Sequence, residues 1–336
     1  LIRLHRPATN GFAVMLVSWF TGEYPIFHIG LQVVVVALLF DGTDRPIGVV
    51  GVCLFVASWF GLVVVRLVQR RARPSGETAL RSGLGEHYLD EIPANRRAGL
   101  RTRPELGLVL LPFRFPRRDI EITRELRYGE AKRIVLDVYR PMSIDTPDRP
   151  LPVVLQVHGG GWLIGNKQQQ GQPLLSRLVP TGYVGVSVNY RLGPTTVFPG
   201  QVVDIKRAIA WVKEHISEYG GDPDRIVITG GSAGGHLSSL AALTPNVPEY
   251  QPGFEDVDTS VMACIDFYGP TDFTDRIGVR GRLSSYEVFL RRVVMPGKMA
   301  DFHDLYVAMS PIEHVHADAP PFLIIQGELD VLVWRE

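Results

Sequence analysis

Ile226–His236 reads IVITGGSAGGH, and the way this stretch divides decides the architecture. Ile226 to Thr229 are all β-branched, a composition suited to a strand buried on both faces. Gly230 and Gly231 end that run, and the residues from His236 to Leu243 read as a helix. The pentapeptide Gly230, Gly231, Ser232, Ala233, Gly234 fits G-x-S-x-G in the context this motif needs, after a strand and before a helix. So sharp a strand-to-helix turn pushes its central side chain out at the top of a sheet. It needs glycine around that side chain because anything bulkier would clash. Taken alone, the same pentapeptide is also a plain glycine-rich turn.

Just upstream, Ile205, Ala208, Ile209, Val212 and Ile216 recur at three- and four-residue steps and form one apolar helix face that ends at Gly220 and Gly221. This predicts a crossover helix. Short β-rich runs flank it: Arg133–Tyr139, Val153–His158, Val184–Tyr190, Val261–Phe267 and Phe322–Gln326. From about Asp119 onward, strands alternating with helical or glycine-rich stretches predict an α/β class with a mostly parallel sheet covered on both faces.

A second glycine cluster, His158, Gly159, Gly160, Gly161 and Trp162, follows a different buried strand. Glycine lets a backbone approach a ligand closely, so that its amides can point at an oxyanion. In nucleophile-elbow hydrolases such amides work together with the one after the nucleophile. The candidate donors are therefore the N–H groups of Gly160, Gly161 and Ala233, and the plain alternative is a flexible loop. Asp330 follows the run FLIIQ through Gly327, Glu328 and Leu329, which puts it at the carboxyl edge of the sheet beside Ser232. It is the candidate acid to orient a histidine and stabilise its imidazolium. Glu328 is the nearest competing carboxylate.

Composition narrows the field further. The chain has 336 residues, 46% apolar and 21% charged, enough for a sizeable core. Its 35 basic and 35 acidic side chains balance, so no field gathers nucleic acid, and nucleic-acid binding is not expected. The two cysteines, Cys53 and Cys264, make no disulfide framework and no zinc-ligand spacing, and both read as buried thiols.

The first part of the chain belongs to a different solvent. Pro46 to Val65 carries no charge and would make a helix roughly 30 Å long, the thickness of a hydrocarbon core. Pro25 to Phe40 is shorter and contains His28 and Gln32, consistent with a tilted or locally thinned span or with a buried helix. Gly11–Phe20 is apolar but too short to cross alone. A signal peptide is the competing reading, although no small-residue cleavage site follows.

Residues 1–70 are thus expected to anchor a helical hairpin, with spans about 25–40 and 46–65 turning through Asp41–Arg45. Arg3, Arg6, Arg66, Arg70, Arg71 and Arg73 flank it, and the positive-inside tendency then sets everything after residue 70 on the cytoplasmic side. Residues 71–118 read as a polar connector with one apolar patch, Leu106–Phe113, and residues 119–336 as the α/β domain. Leu1 in place of an initiator methionine, and Glu336 without a closing element, are what a fragment would show.

Together HGGGW, VNYRL, GGDPDRI, GGSAGGH and PPFLIIQGELD resemble the hormone-sensitive-lipase-like group (family IV) of bacterial esterases in the α/β-hydrolase superfamily, over roughly Asp119–Glu336. The apolar front and the NKQQQG and QPGFE segments resemble actinobacterial, particularly mycobacterial, membrane-associated carboxylesterases. The resemblance implies Ser232 as nucleophile, Asp330 as acid, and the amides of Gly160, Gly161 and Ala233 as the oxyanion hole. It implies no metal and no organic cofactor. Its substrates would be small-molecule or lipid esters, at a membrane bilayer; protein partners are not legible.

In that superfamily the catalytic histidine follows the acid, and no histidine follows Asp330 here. The α/β domain is therefore expected to be incomplete at its C-terminal end, and the chain by itself nearly inactive. His314 and His316 precede the strand that Asp330 follows and start roughly 15–20 Å away, at the opposite edge. His158 reads as part of its glycine turn, and His236 as a helix residue behind the serine. An amide or formamide hydrolase, and a non-catalytic membrane-tethered interaction domain, remain the alternatives.

Overall fold

The computed structural model describes residues 21–22, 24–39, 46–70, 72–92, 94, 97, 119–142, 149–276, 284–328, 330 and 333. The apolar run before Thr21, the turn Asp41–Arg45, Arg71, the patch Leu106–Phe113 and the last three residues lie outside them. The chain forms two compact units, Leu1–Pro112 and Phe113–Glu336.

In the second unit the β-rich runs become a seven-stranded sheet: β1 (Ile120–Arg127), β2 (Val135–Pro141), β3 (Leu151–Val157), β4 (Val184–Val188), β5 (Gly221–Gly231), β6 (Ala263–Phe267) and β7 (Phe322–Ile325). Their order in space is β1-β2-β4-β3-β5-β6-β7. β1 and β2 are antiparallel to their neighbours, and the other five strands are parallel. Every residue of β3 and of β4 is buried; both strands are apolar apart from Gln156 and Ser187, and Ser187 Oγ donates to Gln156 Oε1 at 2.8 Å.

The period of two along β3 sends Val153, Leu155 and Val157 to one face. There they join Val202, Ile205, Ile209 and Val212 of the crossover helix and Leu237 and Leu240 of the helix after β5. Val154 faces the other way, into a smaller cluster with Tyr139, Leu175 and Val179. The helices that supply these side chains are Gln172–Leu178, Gly200–His215 and Ala233–Leu243.

Three features differ from the sequence reading. β1 is an unforeseen edge strand. β5 starts at Gly221 rather than Ile226, its first residue paired with Leu151 ahead of a break in register. Cys264 is buried as expected, whereas Cys53 is exposed.

This topology also sets the place for a site. From β3 the chain moves one position outward to β4, then crosses back over β3 to β5. Neighbouring carboxyl ends whose connections leave in opposite directions bound a crevice, the usual ligand position in an open α/β sheet.

The first unit holds α1 (Pro25–Leu39), α2 (Pro46–Gln69) and α3 (Ala72–Leu84). Gln32 Nε2 of α1 donates to Ser58 Oγ of α2 at 3.0 Å. Most apolar side chains of α2 point outward, Leu54 66% and Phe60 72% exposed, while Leu62 is buried. α2 is long and apolar enough to cross a membrane by length and composition, and α1 is apolar and shorter. α3 lies where the sequence suggested a polar connector.

Candidate active site

Parallel register brings the two glycine motifs side by side. Val157, the last residue of β3, is level with Gly230 of β5, so the HGGGW turn and the GGSAGG turn leave the same edge of adjacent strands. Ser232 adopts φ 55° and ψ −122°. For a residue with a Cβ this costs about 1–3 kcal/mol. The turn is held in place by hydrogen bonds: Ser232 N–H donates to Phe267 O at 2.9 Å, and Ser232 O accepts from His236 N–H at 2.9 Å. Gly234 lies against the Val157 carbonyl so closely that a Cβ would collide with it. The serine is half-buried, while the helix residues that follow it, Ala233–Leu243, are buried throughout.

Gly160 has φ +117°, a conformation open to glycine and strained for other residues. Its carbonyl accepts from the N–H groups of Leu163 and Ile164, at 3.1 and 3.0 Å. Among the described residues nothing accepts a hydrogen bond from the N–H of Gly160, Gly161 or Ala233. Gly160 and Gly161 are half-buried and Ala233 opens a helix, whose first-turn N–H groups have no intrahelical partner, so these three donors on two adjoining turns are left for solvent or a ligand.

Trp162 ends the first motif and is 3% exposed. Its Nε1–H donates to His236 Nδ1 at 3.2 Å, and His236 Nε2 in turn donates to Met309 O at 2.8 Å. Burial pushes the His236 pKa down to about 4, so the ring is neutral at pH 7, with Nε2 carrying the proton. His158 stacks on Tyr190 with ring centroids 4.5 Å apart, and its Nδ1 lies 2.7 Å from Gly159 O. Burial lowers its pKa to about 4 as well. Both rings are thus held inside the fold, and His158 Nε2 is buried without a hydrogen-bond partner among the described residues. His314 Nε2 pairs with Ala308 O at 2.9 Å, ahead of β7.

Gly231 of β5, Phe267 of β6 and Ile325 of β7 share one level. Ser232 and Gln326 therefore start from the same edge two strands apart, about 10 Å at the usual strand spacing. Asp330 lies four residues beyond Gln326 and is half-buried. Its Oδ1 accepts from Val333 N–H at 3.0 Å and its Oδ2 from Gln326 Nε2 at 3.3 Å.

Sequence reasoning missed the residues that surround the two turns. A Cβ at Gly161 would lie 3.2 Å from the Phe289 ring tip, and one at Gly231 would lie 3.0 Å from the Tyr268 hydroxyl. Gln170 accepts from the N–H of Gly159 at 2.8 Å. The glutamine run was visible in the sequence without a role, and Phe289 gave no signal.

Comparison with known proteins decides the family. The BD-FAE family model matches residues 136–336. The probable carboxylic ester hydrolase LipM of Mycobacterium tuberculosis is 43% identical over 343 residues, covering 99% of this chain and 78% of LipM. The chain belongs to this family of carboxylic ester hydrolases. Esterase LipQ of the same organism is 44% identical over 73% of this chain, which spans 56% of LipQ, a little over half its length. Among solved structures, a thermophilic esterase from the planctomycete Thermogutta terrifontis superposes with a TM-score of 0.52 at 28% identity, covering 64% of this chain and 73% of that one. The mostly parallel seven-stranded sheet is thus the α/β-hydrolase sheet of a carboxylesterase-like enzyme, as the motifs implied.

Proposed function

We propose that this chain cleaves carboxylic esters through an acyl-enzyme on Ser232. The serine attacks the ester carbonyl, the N–H groups of Gly160, Gly161 and Ala233 hold the tetrahedral oxyanion, the alcohol leaves, and water releases the acid. The observation that carries this reading is the set of three unpaired backbone donors on the turns around one strained, half-exposed serine. Asp330 orients the general base, a histidine that follows the acid in the chain order of this fold. Among residues 1–336 no histidine follows Asp330. Residues 1–336 alone then turn over only at trace level.

The test is labelling of the full-length protein with a fluorescent fluorophosphonate, beside its Ser232→Ala variant. Labelling of the wild type that the substitution abolishes supports the assignment. Equal labelling of both would remove Ser232 from the mechanism.

The substrates in this reading are short-to-medium acyl or lipid esters met at a bilayer. α2, with α1 beside it, anchors the chain, and the arginines at 66, 70, 71 and 73 keep the hydrolase unit on the cytoplasmic side. A reporter fused after Arg73 that works only outside the inner membrane would reverse that orientation.

A further inference from the structure

The polar run Asn166–Gln172, NKQQQGQ, has no part in the roles above, yet the fold holds it along its length. Asn166 Oδ1 accepts from Gln168 N–H at 2.8 Å, and Gln169 Oε1 accepts from Asn166 N–H at 3.2 Å, closing a turn. Lys167 N–H donates to Asn189 Oδ1 at 2.8 Å, and Lys167 O accepts from Ser187 Oγ at 2.7 Å, which fastens the run to the end of β4. The Lys167 ammonium is buried 3.0 Å from Asp137 Oδ1 and pairs with Glu125. Gly171 packs directly against the Gln156 side chain of β3. From this frame Gln170 reaches across and accepts the Gly159 N–H at 2.8 Å.

The peptide groups of the HGGGW turn can be accounted for one at a time. In the 158–159 peptide, the His158 carbonyl accepts from Tyr190 Oη at 3.0 Å and the Gly159 N–H goes to Gln170. In the 159–160 peptide, the Gly159 carbonyl is held by His158 Nδ1 and the Gly160 N–H is free. In the 160–161 peptide, the Gly160 carbonyl is held by Leu163 and Ile164 and the Gly161 N–H is free. Because a peptide is planar, fixing its oxygen aims its N–H.

Both free donors follow directly on the 158–159 peptide in the same turn, and that peptide is clamped by Tyr190 at one end and Gln170 at the other. Gly159 is also wedged between the Gly231 carbonyl and the Gln170 amide, where a Cβ would collide with both. Without the acceptor on Gln170, the Gly159 N–H has no partner among the described residues. The peptide then gains by rotating toward water, and the two donors move with it.

We propose that Gln170 is a positioning residue of the esterase, setting the aim of the Gly160 and Gly161 amides through the Gly159 peptide. The proposal rests on reading those amides as the oxyanion donors. Its test uses the full-length enzyme with Gln170→Met, close in shape but without an acceptor, and Gln170→Glu, which keeps one. Active sites are titrated with a fluorophosphonate, so rates are counted per competent serine.

The expected result for Gln170→Met is a fall in kcat on the order of tenfold with KM within about twofold, the mark of an interaction made in the transition state. The affinity for an alkyl trifluoromethyl ketone, which adds to the serine as a tetrahedral oxyanion, should fall by the same factor. Gln170→Glu should lose less than about threefold in kcat. A Gln170→Met enzyme with unchanged kcat per titrated site overturns the proposal, even if its melting temperature drops. So does an equal loss in both variants. Wild-type enzyme that does not titrate at Ser232 would instead bring down the reading of the site on which the proposal stands.

Discussion

The indole N–H of Trp162 donates to Nδ1 of His236 across 3.2 Å, joining the HGGGW turn to the helix that starts at Ser232. Both rings also meet Phe273 edge-on, with centroids 5.9 and 4.9 Å away. The two turns that carry the unpaired amides are thus fixed to each other from behind, through buried side chains 74 residues apart in sequence.

Replacing Trp162 with Phe keeps the aromatic contact and removes the donor, leaving His236 Nδ1 as a buried acceptor without a partner. Such a group costs about 1–3 kcal/mol. The expected outcome is a loss of that size in urea unfolding, together with a fall in kcat on the order of tenfold as the turn loosens. Unfolding and steady-state kinetics on the same preparation check both. A variant with wild-type stability and wild-type kcat would show that the bond holds nothing in place.

Burial holds the His236 and His158 rings at a pKa of about 4, against about 6.5 for an unfolded histidine. Between these values the unfolded chain binds protons that the native state does not, so stability rises with pH there. Each ring supplies up to roughly 3 kcal/mol, fully present above pH 6.5 and lost as the pH falls through 4. Urea midpoints from pH 7 down to 4.5 should therefore drop steeply, and His236→Gln, which does not titrate, should drop more gently. Parallel pH profiles for the two proteins would remove His236 as a source of the acid sensitivity.

Among the described residues, two side-chain carboxylates follow β7. Asp330 is half-buried and accepts from Gln326 Nε2 and Val333 N–H, whereas Glu328 is exposed. If Asp330 orients the general base, Asp330→Asn in the full-length enzyme should lower kcat on the order of 10³–10⁴-fold while leaving the fold intact. Glu328→Gln should stay within about threefold. Ester turnover with circular dichroism as the folding control separates them. A large loss on Glu328→Gln with little on Asp330→Asn would exchange their roles.

How much of this was legible depended on how local each constraint is. The elbow at Gly230–Gly234 could be read because one tight turn dictates all of its residues, and β3 and β4 because burial on both faces leaves them apolar except at Gln156 and Ser187, which hydrogen-bond each other. β1, IEITRELR, mixes charge with apolar residues as an edge strand facing water does, and no buried pattern announces it. The early start of β5 runs through Gly221, Asp222 and Pro223, which strand propensity disfavours and which pairing with Leu151 draws in. α3 has no apolar stripe to mark it. Phe289, on the helix Ser284–Val293, and Gln170, in the loop before the helix Gln172–Leu178, become neighbours of Gly161 and Gly159 only in the folded chain.

Lys206, on the crossover helix Gly200–His215, has no exposed surface, and its ammonium caps the far end of the helix that Ser232 begins. It donates to Ala241 O at 2.8 Å, to Thr244 O, and to Thr259 Oγ1 at 3.2 Å, one acceptor for each of its protons. Removing the donor strands these acceptors in the core, while removing a buried charge recovers part of the loss. Lys206→Met is therefore expected to destabilise by about 2 kcal/mol at pH 7. Burial lowers the Lys206 pKa to about 7, against about 10.4 in an unfolded chain. Above pH 7 the native state sheds this proton and the unfolded state keeps it, so the wild type gains stability that the methionine variant does not. The gap between the two should widen by up to about 2 kcal/mol from pH 7 to pH 9. Urea unfolding at both pH values measures it, and a gap that stays constant or narrows would mean that Lys206 keeps its charge in the core throughout.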